Sequence, residues 1–157
     1  MIEDCEISGN KNDGISIGER DTNHHIRRNR IINNGRYGIY FREPVPTFGG
    51  NDVLIEDNRI GRNCQTSGDA EISIASTVER VAILRNHFGP AQRNMPVIRV
   101  AKDCAAIVVN ANETDLAYYP IVQAENSASV SLQSFAGALQ IGPDSVPPDG
   151  MLHLNIR

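Results

Sequence analysis

The chain has 157 residues, the size of one domain, and a hydrophobic fraction of 40%, which is enough to bury a core and excludes a disordered polymer. Its formal net charge of −4 comes from interspersed charges of both signs, so no basic stripe marks it for nucleic acid or a membrane surface. Aromatic residues make up 5% with no Trp, whereas Ile, Val, Asn and Gly are prominent, a mixture suited to short strands and tight turns rather than helices.

Met1-Ile2-Glu3-Asp4 lacks the basic-then-apolar opening of a signal peptide and reads as the interior of a repeat, so the chain is expected to begin within a coil. No stretch approaches the roughly 18 apolar residues of a membrane span. The repeat is explicit further on: Val53-Leu54-Ile55-Glu56-Asp57-Asn58-Arg59-Ile60 returns as Val81-Ala82-Ile83-Leu84-Arg85-Asn86-His87-Phe88. Looser copies are Ile26-Arg27-Arg28-Asn29-Arg30-Ile31 and Ile107-Val108-Val109-Asn110-Ala111-Asn112-Glu113-Thr114. Their asparagines Asn29, Asn58, Asn86 and Asn112 are 29, 28 and 26 residues apart, and Cys5 holds the same place 24 residues before Asn29. Self-similarity at this period specifies a solenoid.

In chain order the first strands of the coils are marked by apolar pairs: Ile15 and Ile17, Ile39 and Phe41, Ile72 and Ile74, Ile98 and Val100, Val122 and Ala124, Leu139 and Ile141. Their two-residue alternation excludes helical repeats, and the absent leucine signature excludes leucine-rich ones. After each pair comes a loop, a second strand, a corner at the asparagine and a short third strand. Ile17 to Ile26, Ile74 to Ile83 and Val100 to Val109 are each 9 residues, whereas Phe41 to Ile55 is 14, which locates an insertion at 42–51 with Phe48 in it. The expected fold is all-β, a right-handed parallel β-helix of three-strand coils with about five to six turns over residues 1–142. Pro143, Pro147 and Pro148 break the ladder. Met151-Leu152-His153-Leu154-Asn155-Ile156 alternates again, and residues 143–157 are expected to cap the last coil within the same domain. The open N-terminal coil is expected to be covered by further chain, by a second copy in a homo-oligomer, or by another neighbour.

Stacking places like over like, so the aliphatic residues should form inward columns. The corner asparagines should form a hydrogen-bonded ladder, being also tolerant of left-handed backbone. Gly14 and Gly38 suit either positive φ or close backbone approach. The three cysteines, Cys5, Cys64 and Cys104, are odd in number and read as small buried or half-buried thiols rather than a disulfide framework. His24-His25 and the scattered aspartates lack metal-site spacing. No metal or cofactor is expected. The sequon Asn112-Glu113-Thr114 has its asparagine in the ladder, where it would be poorly available for glycosylation.

These copies resemble the right-handed parallel β-helix repeats of the pectate-lyase-like superfamily, over roughly residues 2–141. The resemblance implies that a polysaccharide would lie along the outer face of the first strands, and that the protein would be extracellular if an upstream export signal had been removed. Of that superfamily's activity motifs the nearest is Arg42-Glu43-Pro44, with Thr47 where a second arginine belongs.

Between the apolar pairs, the outward residues form a row: Ser16, Tyr40, Ser73, Arg99, Gln123 and Gln140, flanked by Glu19, Arg20, Arg42, Glu43, Glu71, Lys102 and Asp103. A tyrosine face suits the apolar side of a pyranose, and arginine grips a carboxylate with two bonds. Tyr40, Arg42, Glu71, Ser73, Arg99 and Lys102 are therefore the expected substrate-binding residues. Lytic chemistry would use Arg99 or Lys102 as base with Tyr40 as proton donor, and hydrolysis would need the carboxyl pair Glu43 and Glu71. The competing expectations are a solvated face with cross-coil ion pairs, Arg42 with Glu71 or Glu71 with Arg99, and a structural or adhesive solenoid without catalysis.

Overall fold

The computed structural model describes residues 1–136 except 19, 44–48, 76, 92, 93, 116–121 and 126, and gives no side-chain description for 133–136. The sixth apolar pair, Gln140, Glu19, Phe48 and the expected cap at 143–157 lie outside the described residues.

Every described element is a strand. The first coil is β1 (Ile2–Glu3), β2 (Glu6–Ser8) and β3 (Ile15–Ile17); the second is β4 (His25–Arg27), β5 (Arg30–Ile32) and β6 (Ile39–Phe41). The third is β7 (Val53–Glu56), β8 (Arg59–Gly61) and β9 (Ile72–Ile74); the fourth is β10 (Glu79–Leu84), β11 (His87–Phe88) and β12 (Ile98–Val100). Then β13 (Ala105–Thr114) runs through the corner that separates two strands in earlier coils, and β14 (Val122–Ala124) and β15 (Val130–Ala136) follow. The result is an all-β parallel solenoid of about 4 turns rather than five to six. The last sequence copy, at Leu139 and Ile141, falls outside the described residues.

All pairings are parallel. One face is the five-stranded sheet β3-β6-β9-β12-β14, and the other two faces join through β13 into a ten-stranded sheet. Ile15, Ile39, Ile72, Ile98 and Val122 lie in single file, as do Ile2, Ile26, Ile55, Ile83, Val109 and Leu132. From Ile26 to Val109 these columns are sealed from solvent, and each buried aliphatic contributes about 1.5–3 kcal/mol.

The corners carry the asparagines as expected. Asn29, Asn58, Asn86 and Asn112 each accept, through Oδ1, the backbone N–H of Cys5, Asn29, Asn58 and Asn86 one turn earlier, at 2.8–3.1 Å. Their Nδ2 groups donate to Ile2, Ile26, Ile55 and Ile83 carbonyls. The left-handed residue is not the asparagine, however, but the one before it: Asp4, Arg28, Asp57, Arg85 and Ala111 have φ between 52° and 54°. A strained corner residue thus turns the chain so that the next side chain points inward. Gly14 and Gly38 serve close approach and not positive φ. A Cβ on Gly14 would lie 2.7 Å from the Gly38 carbonyl oxygen, and one on Gly38 2.8 Å from Asn63 Nδ2. No disulfide joins the three cysteines: Cys5 is exposed, and Cys64 and Cys104 are buried.

Candidate functional site

The outward row on the five-stranded face is in register: Ser16 beside Tyr40, Tyr40 beside Ser73, Ser73 beside Arg99, Arg99 beside Gln123. Its side chains run large, small, large. Ser73 leaves a dip between Tyr40 and Arg99, and Ala75 and Ala101 in the neighbouring column extend it. The result is an open groove of about 470 Å³ lined by Tyr37, Tyr40, Glu43, Ser73, Arg99, Lys102 and Glu125 with Ile74, Ala75 and Ala101. That volume is in the range of small-ligand clefts.

One wall is aromatic. Tyr37 and Tyr40 stack with ring centroids 4.8 Å apart and planes 18° from parallel. The Arg36 guanidinium lies 4.7 Å from the Tyr40 centroid and 5.3 Å from that of Tyr37. Arg36 is fixed by the carboxylate of Asp13, which it meets with two bonds at 2.8 and 2.6 Å, and this pairing raises its pKa. Burial, then the nearby Asp69 charge, pushes the Tyr37 phenol above its usual pKa, so it stays protonated. A hydrogen bond with Ser73 acts against that rise.

The other wall is a charge clamp. Arg99 is ion-paired to Asp69, and its Nη2 lies 3.2 Å from Glu125. Partial burial alone would lower its pKa, but Asp69 and then Glu125 more than offset this and hold it above the normal value. A guanidinium so held is a hydrogen-bond donor and not a base. Lys102 sits at the rim and forms no ion pair among the described residues.

Of the six expected binding residues, Tyr40, Ser73, Arg99 and Lys102 line the groove. Arg42 does not. Its guanidinium lies over Gly18 beside Asp21, where a Cβ on that glycine would come 2.6 Å from Nη2 and 2.8 Å from Asp21 Oδ2. Glu71 is a plain correction: it is fully buried, not on the open face. The expected ion pairs of Glu71 with Arg42 or Arg99 therefore do not form; Arg99 takes Asp69 and Glu125 instead. The carboxyl pair Glu43 and Glu71 fails for the same reason.

Glu71 completes a second ladder that the sequence reading missed. Asn10 Nδ2 donates to Asn34 Oδ1, Asn34 Nδ2 to Asn63 Oδ1, and Asn63 Nδ2 to Glu71 Oε2, at 2.9, 2.8 and 2.6 Å. Glu71, which follows Asn63 by eight residues, supplies the acceptor at the end of this ladder, taking both the backbone N–H and the Nδ2 of Asn63. Desolvation pushes Glu71 up to about 7, against the opposing bonds from Asn63. The matching signal was the spacing of 24 and 29 residues among Asn10, Asn34 and Asn63. Tyr37 and Arg36 were also missed, although Tyr37 and Tyr40 straddle Gly38 three residues apart.

Compared with protein-family models, curated proteins and solved structures, the chain finds no match.

Proposed function

We propose that this solenoid binds a polysaccharide along its five-stranded face, as a member of, or close analogue to, the pectate-lyase-like β-helices. The observation that carries the reading is the stacked Tyr37–Tyr40 platform beside a groove whose far wall is Arg99 and Lys102. A sugar ring needs a flat apolar surface for its C–H face and donors and acceptors for its hydroxyls, and this groove offers both within reach of one residue of polymer. Binding is favoured over cleavage, because Arg99 is held protonated between carboxylates and Glu71 is locked inside the coil. A non-catalytic structural or adhesive solenoid is the second reading, supported by the same Asp69–Arg99–Glu125 clamp, which pairs the strongest charges of the face with each other.

The test is affinity electrophoresis of the full chain through gels containing polyuronates or neutral polysaccharides, beside the Tyr40→Ala variant. Retardation by at least one polymer, weakened about tenfold by loss of the ring, is expected. Equal mobility across a broad polymer panel would sink the proposal in favour of the structural reading.

A further inference from the structure

A second hollow lies on the face built by β2, β5, β8 and β11. The outward column there reads Glu6, Arg30, Arg59, His87, Glu113. Its ends are neutralised: Arg30 Nη1 is 2.9 Å from Glu6, and His87 is 3.2 Å from Asp115 and 3.7 Å from Glu113. Arg59, in the middle, has no ion pair among the described residues, and neither does Arg62 at the following corner. By contrast, Arg27, Arg28, Arg36, Arg80 and Arg85 each meet an acid one turn away.

Rungs are about 4.8 Å apart, so Arg59 lies beside Arg30, whose charge Glu6 already meets, and the charge of Arg59 is left for an anion from outside the column. In the adjoining column Gly61 and Gly89 have no side chains. They leave a hollow of about 190 Å³ lined by Arg30, Asn33, Arg59, Arg62 and the two glycines, with Ile32, Ile60 and Pro90. Packing does not require the glycine at 89, where a Cβ would meet nothing closer than 3.9 Å. The space is large compared with what a single water needs.

We propose that this hollow binds an oxyanion of the phosphate or sulfate class, free or as an ester, held by the guanidinium forks of Arg59 and Arg62. Arginine forks match such oxygens two at a time, and a local cluster of cations on a chain of net charge −4 concentrates anions at that one place. The site is on a different face from the groove and does not rest on the polysaccharide reading.

The experiment titrates the full chain with inorganic phosphate and inorganic sulfate, against chloride at matched ionic strength, following backbone amide shifts by NMR. Glycerol phosphate in a parallel titration separates a free ion from an esterified group. Saturable shifts confined to Gly61, Arg62 and Gly89 are expected. Binding should be about tenfold weaker in Arg59→Gln, which loses a charged donor, and weaker also in Gly89→Leu, which fills the hollow and keeps every charge. Absence of saturable shifts in the parent chain, or unchanged affinity in both variants, would overturn the proposal.

Discussion

At the scale of single residues, the solenoid separates polar groups that hold it together from polar groups that merely decorate it. Asn58 makes its bonds inside the wall: its Nδ2 donates to Ile26 and Asn86, and its Oδ1 accepts from Asn29. Asn58→Ala would strand buried partners in two coils and should cost about 3 kcal/mol in urea unfolding. Arg85, half exposed against Asp57, should cost under about 1 kcal/mol when changed to Ala. Ala111 is exposed with φ of 52°, so Ala111→Gly should stabilise the protein by about 0.5–1 kcal/mol, strain relief exceeding the added chain entropy. Glu71 sets a pH dependence. Its folded pKa of about 7 exceeds the ordinary carboxyl value of 4.5, so below 4.5 the carboxyl is neutral in both states and its full contribution is present. Stability is then lost as pH rises from 4.5 through about 7, with a ceiling near about 3 kcal/mol. Glu71→Gln should flatten stability across that window; an unchanged slope would show that another group titrates there.

Among elements, the strands were legible and the corners only partly so. Alternation at Ile72-Ser73-Ile74 or Ile98-Arg99-Val100 can satisfy only a strand with one face buried, and the structure stacks these in the expected register. The corners are decided by backbone geometry that a single sequence hides. Asn is the obvious left-handed residue, yet at the first corner Arg, Asp and Ala adopt that conformation, because the position inside the wall needs the amide. Gly38 shows the same point: its lack of a side chain leaves room for Asn63 and the Glu71 carbonyl, which a Cβ would approach at 2.8 and 2.9 Å. Gly38→Ala should therefore destabilise by about 1–3 kcal/mol, measurable as a lower melting temperature, whereas Gly89→Ala should be close to neutral.

For the whole molecule, each coil touches only its neighbours, so stability should behave as a chain of nearest-neighbour terms. Ile55→Ala with Ile83→Ala, stacked directly, should couple in a double-mutant cycle. Ile26→Ala with Ile107→Ala, from the second and fifth coils, should add within about 0.5 kcal/mol. Strong coupling of the distant pair would mean that the solenoid unfolds with long-range strain instead. The sequence by itself determined the parallel coil, its inward columns, the first asparagine ladder and the outward order Tyr40, Ser73, Arg99, since each follows from local period and from stacking like on like. Tertiary structure alone decided that Glu71 lies inside, that Arg42 turns toward Asp21, that Tyr37 joins Tyr40, and that Arg59 and Arg62 meet no acid among the described residues. Those outcomes depend on which residues meet across loops of unequal length, and period carries no record of where such loops bring a side chain.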